Sequence, residues 1–335
     1  MLTIVCEAPG ALKAEQRPIP TPADGELLLR VRRVGVCGTD LHIYAGRQPY
    51  LSYPRVMGHE FSATVAGAPP GSRLAEGDNV YVMPYLSCGR CIACRAGRTN
   101  CCVKLQVLGV HRDGALTEYL CVPEAFVHRA QGVTLDQAAM VEFLAIGAHA
   151  VRRAQVRAGQ RVLVVGAGPI GMGTMIFAML HGATVVALDS RSDRLAFCMQ
   201  RLGVAASVTR GDGDEEALAA LSAHEFFDVV FDATGNAAAM ERGFRFVAHA
   251  GTYVLVSIVS SDIRFSDPEF HKRETTLLGS RNATREDFDT VLQAMRDGRI
   301  PAGLDTHRMA LGDVPASFPR LLDPKAGVVK AIVEC

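Results

Sequence analysis

The spacing of hydrophobic positions changes along this chain, and each change predicts a different kind of element. Up to about residue 130 the apolar runs are short. Leu27-Leu28-Leu29-Arg30-Val31 and Asn79-Val80-Tyr81-Val82-Met83 are bounded by Gly, Pro and Asp and predict strands. Gly and Pro recur every few residues there, which suits a barrel-like domain with functional loops. Leu135 to Arg153 is Ala-rich with helical spacing. From Arg161 the order becomes strand (Val162 to Val165), Gly-rich turn (Gly166 to Gly171), helix (Met172 to Leu180) and strand (Thr184 to Leu188). Further apolar strands are predicted at Asp228 to Phe231 and Tyr253 to Ile258, and such alternation means a parallel sheet with helices on both faces. Asp287 to Arg296 predicts an exposed amphipathic helix and Gly327 to Val333 a final strand.

Composition narrows the partners. The chain has 335 residues, 49% of them hydrophobic, enough for two domains with buried cores. Its 35 basic and 35 acidic side chains cancel, which argues against nucleic acid or an anionic membrane as a partner. No apolar run approaches the roughly 18 residues of a membrane span. Met1 to Cys6 lacks the basic flank and cleavage site of a signal peptide, so a cytoplasmic location is expected. Cytosolic thiols stay reduced, and five of the ten cysteines fall between Cys88 and Cys102, a clustering that reads as metal binding.

Cys88, Cys91, Cys94 and Cys102, at spacings of three, three and eight, suit a closed tetrahedral zinc site. Spacing alone leaves Cys101 as an alternative fourth ligand. Gly166-Ala167-Gly168-Pro169-Ile170-Gly171 matches G-x-G-x-x-G between a strand and a helix. Gly166 makes the turn, Gly168 admits a pyrophosphate and Gly171 lets helix and strand pack closely. Asp189 ends the next strand, where a carboxylate accepts hydrogen bonds from the adenosine ribose and repels a 2′-phosphate. NAD is therefore expected over NADP, although Arg191 and Arg194 could hold a phosphate. Cys37 and His59 could ligate a second, catalytic zinc, and Glu60 or Glu142 could complete or exchange in that shell.

Taken together, C-G-T-D-x-H at Cys37 to His42, G-H-E at Gly58 to Glu60, the cysteine set and G-A-G-P-I-G resemble the zinc-containing medium-chain dehydrogenase/reductase family, over essentially the whole chain. The resemblance implies an α/β protein: a GroES-like β-barrel catalytic domain (1–148 and 283–335) and an inserted doubly wound Rossmann domain (149–282). It implies one structural and one catalytic zinc per chain, NAD, and a homodimer or homotetramer. Cys37, His59 and Glu60 match the catalytic ligands, and Glu142 a polyol-dehydrogenase glutamate that meets the metal directly or through water. Thr39 and His42 match a proton relay, and Asp40 would hold a ligand histidine in its tautomer. Ile170, Asp189, Arg194, Val256, Ser257, Ile258, Ser280 and Arg281 match cofactor-contacting positions. Between Thr64 and Gly77 the family's V-G-x-x-V segment is missing, which reads as a trimmed surface loop.

Finer likeness, in His42 to Gly46, Tyr53 to Glu60, Leu108 to His111 and Gly279 to Ala283, points to bacterial dehydrogenases of hexonates such as L-gulonate or L-galactonate at C5. The expected substrate is a sugar acid or polyol oxidised at a secondary hydroxyl. The Cys37 to Tyr50 loop, the His111 region and Ser280 to Asn282 are expected near it, and they carry Tyr44, Arg47, His111, Arg112, Arg281 and Asn282. A threonine, butanediol or simple secondary-alcohol dehydrogenase is the alternative. A non-catalytic relative should have lost zinc ligands or the relay, and this chain keeps them.

Overall fold

The computed structural model describes residues 1–48 and 51–335, so Tyr50 lies outside the described residues. The chain forms two compact units: Met1–Glu142 with Leu292–Asp297 and Ala302–Cys335, and Phe143–Val291 with Gly298–Pro301.

The first unit is built on a seven-stranded sheet ordered His307–Ala310, Ala331–Glu334, Glu26–Val36, Glu60–Gly67, Asn79–Val82 and Val127–Arg129, with Tyr119–Pro123 also pairing Glu26–Val36. Glu26–Val36 is its organising strand. One end pairs antiparallel with Ala331–Glu334, the other with Tyr119–Pro123, and the opposite edge with Glu60–Gly67. Its inward positions Leu27, Leu29, Val31 and Val34 are buried, giving the alternation of a half-covered antiparallel strand. The shortened segment after Thr64 leaves the pairing intact, with Ser62 opposite Tyr81 and Thr64 opposite Asn79.

The second unit carries six parallel strands in the order Ala206–Thr209, Thr184–Asp189, Arg161–Val165, Phe227–Asp232, Val247–Leu255, Thr276–Gly279. Numbered within the unit this is 3-2-1-4-5-6, the doubly wound dinucleotide-binding order. Leu163, Val186, Val208, Val230 and Tyr253 belong to one apolar core.

Three predicted elements end elsewhere than the hydrophobic pattern suggests. The helix expected from Leu135 to Arg153 is two helices, Leu135–Ala138 and Val141–Arg153, which puts Glu142 in a first turn. The strand expected through Ile258 stops at Leu255, because the Val256 and Ser257 N–H groups both turn onto the Asp232 carbonyl (2.9 and 3.3 Å). The final strand begins at Ala331, after Gly327 takes φ +65° and Val329 N–H donates to Thr306 Oγ1 at 3.0 Å. No helix among the described residues is long and apolar enough to cross a membrane.

Candidate functional site

Cys37 leaves strand Glu26–Val36 at the point where the chain turns into helix Gly38–Tyr44, and local bonding fixes it there. Its thiol accepts the Thr39 N–H at 3.2 Å, and the Asp40 carboxylate accepts the Cys37 N–H at 2.9 Å, closing a capping box. The other Asp40 oxygen accepts the Gly58 N–H at 3.2 Å and lies 3.7 Å from His59 Nδ1. One buried carboxylate thus ties the Cys37 turn to the segment carrying His59 and Glu60. Thr39 is half-buried and His42 exposed on the same short helix.

His59 Nε2 lies 3.2 Å from Cys37 Sγ and 3.9 Å from Glu60 Oε1. Potential ligand atoms of His59, Glu60 and Glu142 all fall within 4.8 Å of one another, as do those of Cys37, Asp40 and His59. All five residues are buried. Each glutamate is anchored through one oxygen: Glu60 Oε2 by the Lys330 ammonium and Glu142 Oε1 by the Tyr85 hydroxyl. The other oxygens, Glu60 Oε1 and Glu142 Oε2, have no hydrogen-bond partner among the described residues. Burying a carboxylate oxygen without a donor is costly, and two beside a thiol and an imidazole fit a soft-tolerant divalent cation such as zinc. The electrostatics express the same crowding. Burial and then the neighbouring Glu60 push the Glu142 carboxyl up to about 7. Burial also raises the Cys37 thiol, while the imidazole of His59, which burial alone would lower, is held well above 6.5 by Cys37 and Asp40.

Lys330 and Tyr85 are partners that sequence reasoning missed. Lys330 is a lone charge in the apolar run Val328-Val329-Lys330-Ala331-Ile332-Val333, and that exception was the available signal. Tyr85 offered no comparable signal.

The second cluster gathers Cys88, Cys91, Cys94 and Cys102 with sulfurs inside 4.8 Å, while Cys101 is exposed and stands outside the set. Cys88 N–H donates to Cys102 Sγ at 3.2 Å, and Cys91 and Cys94 sulfurs lie 3.5 Å apart. Backbone N–H donors, led by that of Cys94, lower the Cys91 thiol to about 6, whereas burial raises Cys94 to about 11. Four convergent thiols in a polar loop fit a closed zinc site.

In the second unit the predicted dinucleotide positions gather at the carboxyl ends of the parallel strands, where such sheets bind ligands. Gly166 has φ +101°, and a Cβ there would sit 2.9 Å from the Ala233 carbonyl carbon. A Cβ on Gly171 would collide with the Gly166 carbonyl oxygen, so both glycines are required by the turn itself. Gly168 caps helix Pro169–Leu180 with Pro169 in its first turn, leaving N–H groups free for an anion. The Asp189 carboxylate accepts N–H groups of Ala167 (2.6 Å) and Arg191 (2.8 Å), and so holds the glycine turn to the end of its strand. Arg194 lies beneath the turn, its Nη1 3.6 Å from where a Gly168 Cβ would be, with Nε buried and unpartnered. Arg191 is engaged by Asp193 at 2.6 Å. Val256, Ser257 and Ile258 follow one strand end, with Ile258 exposed; Ser280 and Arg281 follow another, Ser280 buried and Arg281 exposed. This cradle fits a dinucleotide.

Of the residues expected near a substrate, Tyr44 packs on Phe318 with ring centroids 5.4 Å apart, and His111 Nδ1 accepts the Val107 N–H at 3.1 Å. Arg47 and Arg112 are exposed, and Asn282 has φ +51° with a buried Nδ2 that has no partner among the described residues.

Comparison with known proteins agrees with this geometry. Residues 23–132 match the alcohol dehydrogenase GroES-like domain and residues 169–297 the zinc-binding dehydrogenase domain. The chain is 42% identical to L-galactonate-5-dehydrogenase of Escherichia coli K12, over 99% of this chain and 98% of that one. It is 33% identical to 2-dehydro-3-deoxy-L-galactonate 5-dehydrogenase of Pseudoalteromonas atlantica, over 94% and 93%. A crystal structure of the alcohol dehydrogenase RspB from E. coli CFT073, complexed with NADH, superposes with a TM-score of 0.93 at 29% identity, covering 100% of this chain and 99% of that one. The chain belongs to the zinc-containing medium-chain dehydrogenase/reductase family.

Proposed function

We propose that this chain is a cytoplasmic, NAD-dependent dehydrogenase that oxidises a secondary hydroxyl of a hexonate of the L-galactonate or L-gulonate type. The carrying observation is the pair of buried carboxylates, each with one oxygen anchored and one without a donor, beside Cys37 and His59. Cys37, His59 and Glu60 or Glu142 would hold the catalytic zinc, and Cys88, Cys91, Cys94 and Cys102 the structural one. Bound there, zinc would supply a Lewis acid that lowers the pKa of the substrate hydroxyl, and NAD would supply the hydride acceptor.

The chain's own residues do the rest. Thr39 Oγ1 takes the proton of the substrate hydroxyl and His42 passes it to solvent. Partial burial, then Arg47, holds the His42 imidazole below its ordinary 6.5, so it is neutral and able to accept near pH 7. Asp40 orients His59. Gly166, Gly168, Pro169, Ile170 and Gly171 would receive the pyrophosphate, Asp189 the ribose and Arg194 the adenosine. Val256, Ser257, Ile258, Ser280 and Arg281 would line the nicotinamide side. We assign 1–148 with 283–335 to the catalytic domain and 149–282 to the NAD domain, and expect a homodimer or homotetramer.

The substrate reading is supported by the 42% and 33% identities to dehydrogenases of galactonate-type acids. An arginine among Arg47, Arg112 and Arg281 would pair with the substrate carboxylate through two hydrogen bonds. The test compares hexonates, matched hexitols and short secondary alcohols at saturating NAD, followed by NADH absorbance. Hexonates should give the highest kcat/KM. Hexitols ahead of hexonates would remove the carboxylate contact, and 2-butanol ahead of every polyhydroxylated compound would refute the substrate class.

A further inference from the structure

We infer that Lys330 is a positioning residue of the proposed catalytic metal centre: it restrains Glu60 to offer one oxygen and leaves Glu142 as the exchangeable carboxylate. The inference rests on reading Cys37, His59, Glu60 and Glu142 as that centre. Both members of the Lys330–Glu60 pair have side chains with 0% exposure. A lysine is seldom buried this completely, and here its ammonium spans the sequence to bond the carboxylate oxygen turned away from His59. The sheet register explains how. Gly35 pairs with Glu60 on one side and Ile332 on the other, so Glu60 and Lys330 arrive from opposite neighbours of one strand. They meet over a residue without a side chain. A Cβ on Gly35 would lie 2.7 Å from Glu60 Oε2 and 3.1 Å from Lys330 Cε.

The two carboxylates therefore differ in what holds them. Glu142 is anchored by a neutral hydroxyl, Glu60 by a full positive charge in a site from which water is excluded. The cation adds a Coulombic attraction at low dielectric that a neutral hydroxyl lacks, so Lys330 holds its Glu60 oxygen more firmly than Tyr85 holds that of Glu142. Without Lys330, Glu60 would turn both oxygens toward the metal and close the position a substrate needs.

The experiment uses zinc-replete protein and protein carrying cobalt in the exchangeable site. Wild type, Lys330→Met and Lys330→Arg are compared by the rate of metal loss to a chelator and by the cobalt visible spectrum. NADH binding serves as a check that the fold persists. For Lys330→Met we expect loss of the exchangeable metal to slow several-fold and the cobalt bands to weaken as coordination number rises. Lys330→Arg should restore both toward wild type. A lysine with only a structural role would alter thermal stability but neither readout. Unchanged rates and spectra, or faster metal loss, would overturn the inference. If Lys330→Met does not fold, Lys330→Gln serves instead, since it keeps a hydrogen-bond donor but removes the charge, and the same outcomes apply in smaller measure. Wild-type protein that holds zinc only at the four cysteines would overturn the metal-site reading along with this inference. A wild type with both metals and an indistinguishable variant overturns the role of Lys330 alone.

Discussion

Asp189 has one task that the structure shows and a second that we propose, and substituting it should reveal both. As the proposed partner of the adenosine ribose, it should make NAD at least about tenfold better than NADP in kcat/KM, a discrimination of about 1.4 kcal/mol. It also accepts the Ala167 and Arg191 N–H groups. Asp189→Gly should therefore narrow the NAD:NADP ratio and raise the KM for NAD, because the glycine turn loses its tether. Steady-state kinetics with both cofactors measures this; a lower ratio with an unchanged KM for NAD would mean the tether carries no weight. At the cysteine set, Cys102→Ser should lose one zinc equivalent and lower Tm, and Cys101→Ser should do neither, since Cys101 is exposed and outside the quartet. Metal analysis and a thermal melt decide it. The side chains that the structure gathers into clusters, and the glycine turn, were legible in the sequence because such arrangements require fixed residue types at short spacings. The choice between Cys101 and Cys102 was not, since one residue of shift reverses burial without altering the motif. Lys330 was not either, because its partner is distant in sequence and only strand register brings the two together.

At the scale of elements, helices Val141–Arg153 and Arg285–Arg296 are joined by a buried network within the second unit. Asp287 accepts from Arg152 Nε (2.7 Å) and the Thr284 N–H (2.8 Å), with His149 Nδ1 at 2.8 Å. Burial alone would raise the Asp287 carboxyl pKa, but the hydrogen bonds from His149, Arg152 and Thr284 hold it well below the usual value. A depressed carboxyl stabilises fully above its unfolded pKa of about 3.9, and that stabilisation fades as pH falls through the native value. Asp287→Asn should cost about 2 kcal/mol at neutral pH, the buried-pair range discounted for the exposure of Arg152. Denaturant titrations should show the gap closing below about pH 4. A gap independent of pH would contradict the charge argument. Helix Val141–Arg153 also meets helix Pro169–Leu180 through glycines, where a Cβ on Gly147 would clash with the Gly173 backbone. Gly147→Ala should accordingly lower Tm. Hydrophobic period exposed the strands and helices but not where they stop. The ends at Leu255 and Ala331 are set by backbone N–H groups that donate to the Asp232 carbonyl and to Thr306 Oγ1, which no local pattern encodes.

For the whole molecule, a sheet organised around Glu26–Val36 collects Cys37, Glu60 and Lys330 from three distant parts of the chain, and the four-cysteine set forms separately. The late strands and the doubly wound order followed from the alternation of strands and helices. The substrate did not, because no short motif specifies a sugar acid. Of the residues expected to meet it, Tyr44 packs against Phe318 and His111 closes its own turn. The central claim is that two distinct zinc sites exist and that only one serves hydride transfer. The most direct measurement follows zinc content and NADH formation from L-galactonate together during chelation of freshly purified protein. The account predicts close to two equivalents at the start and loss of all activity with the first equivalent removed, since an open site exchanges before a closed one, while the second stays bound to folded protein. Full activity after that first equivalent has gone, or less than one equivalent in zinc-replete protein, would contradict it.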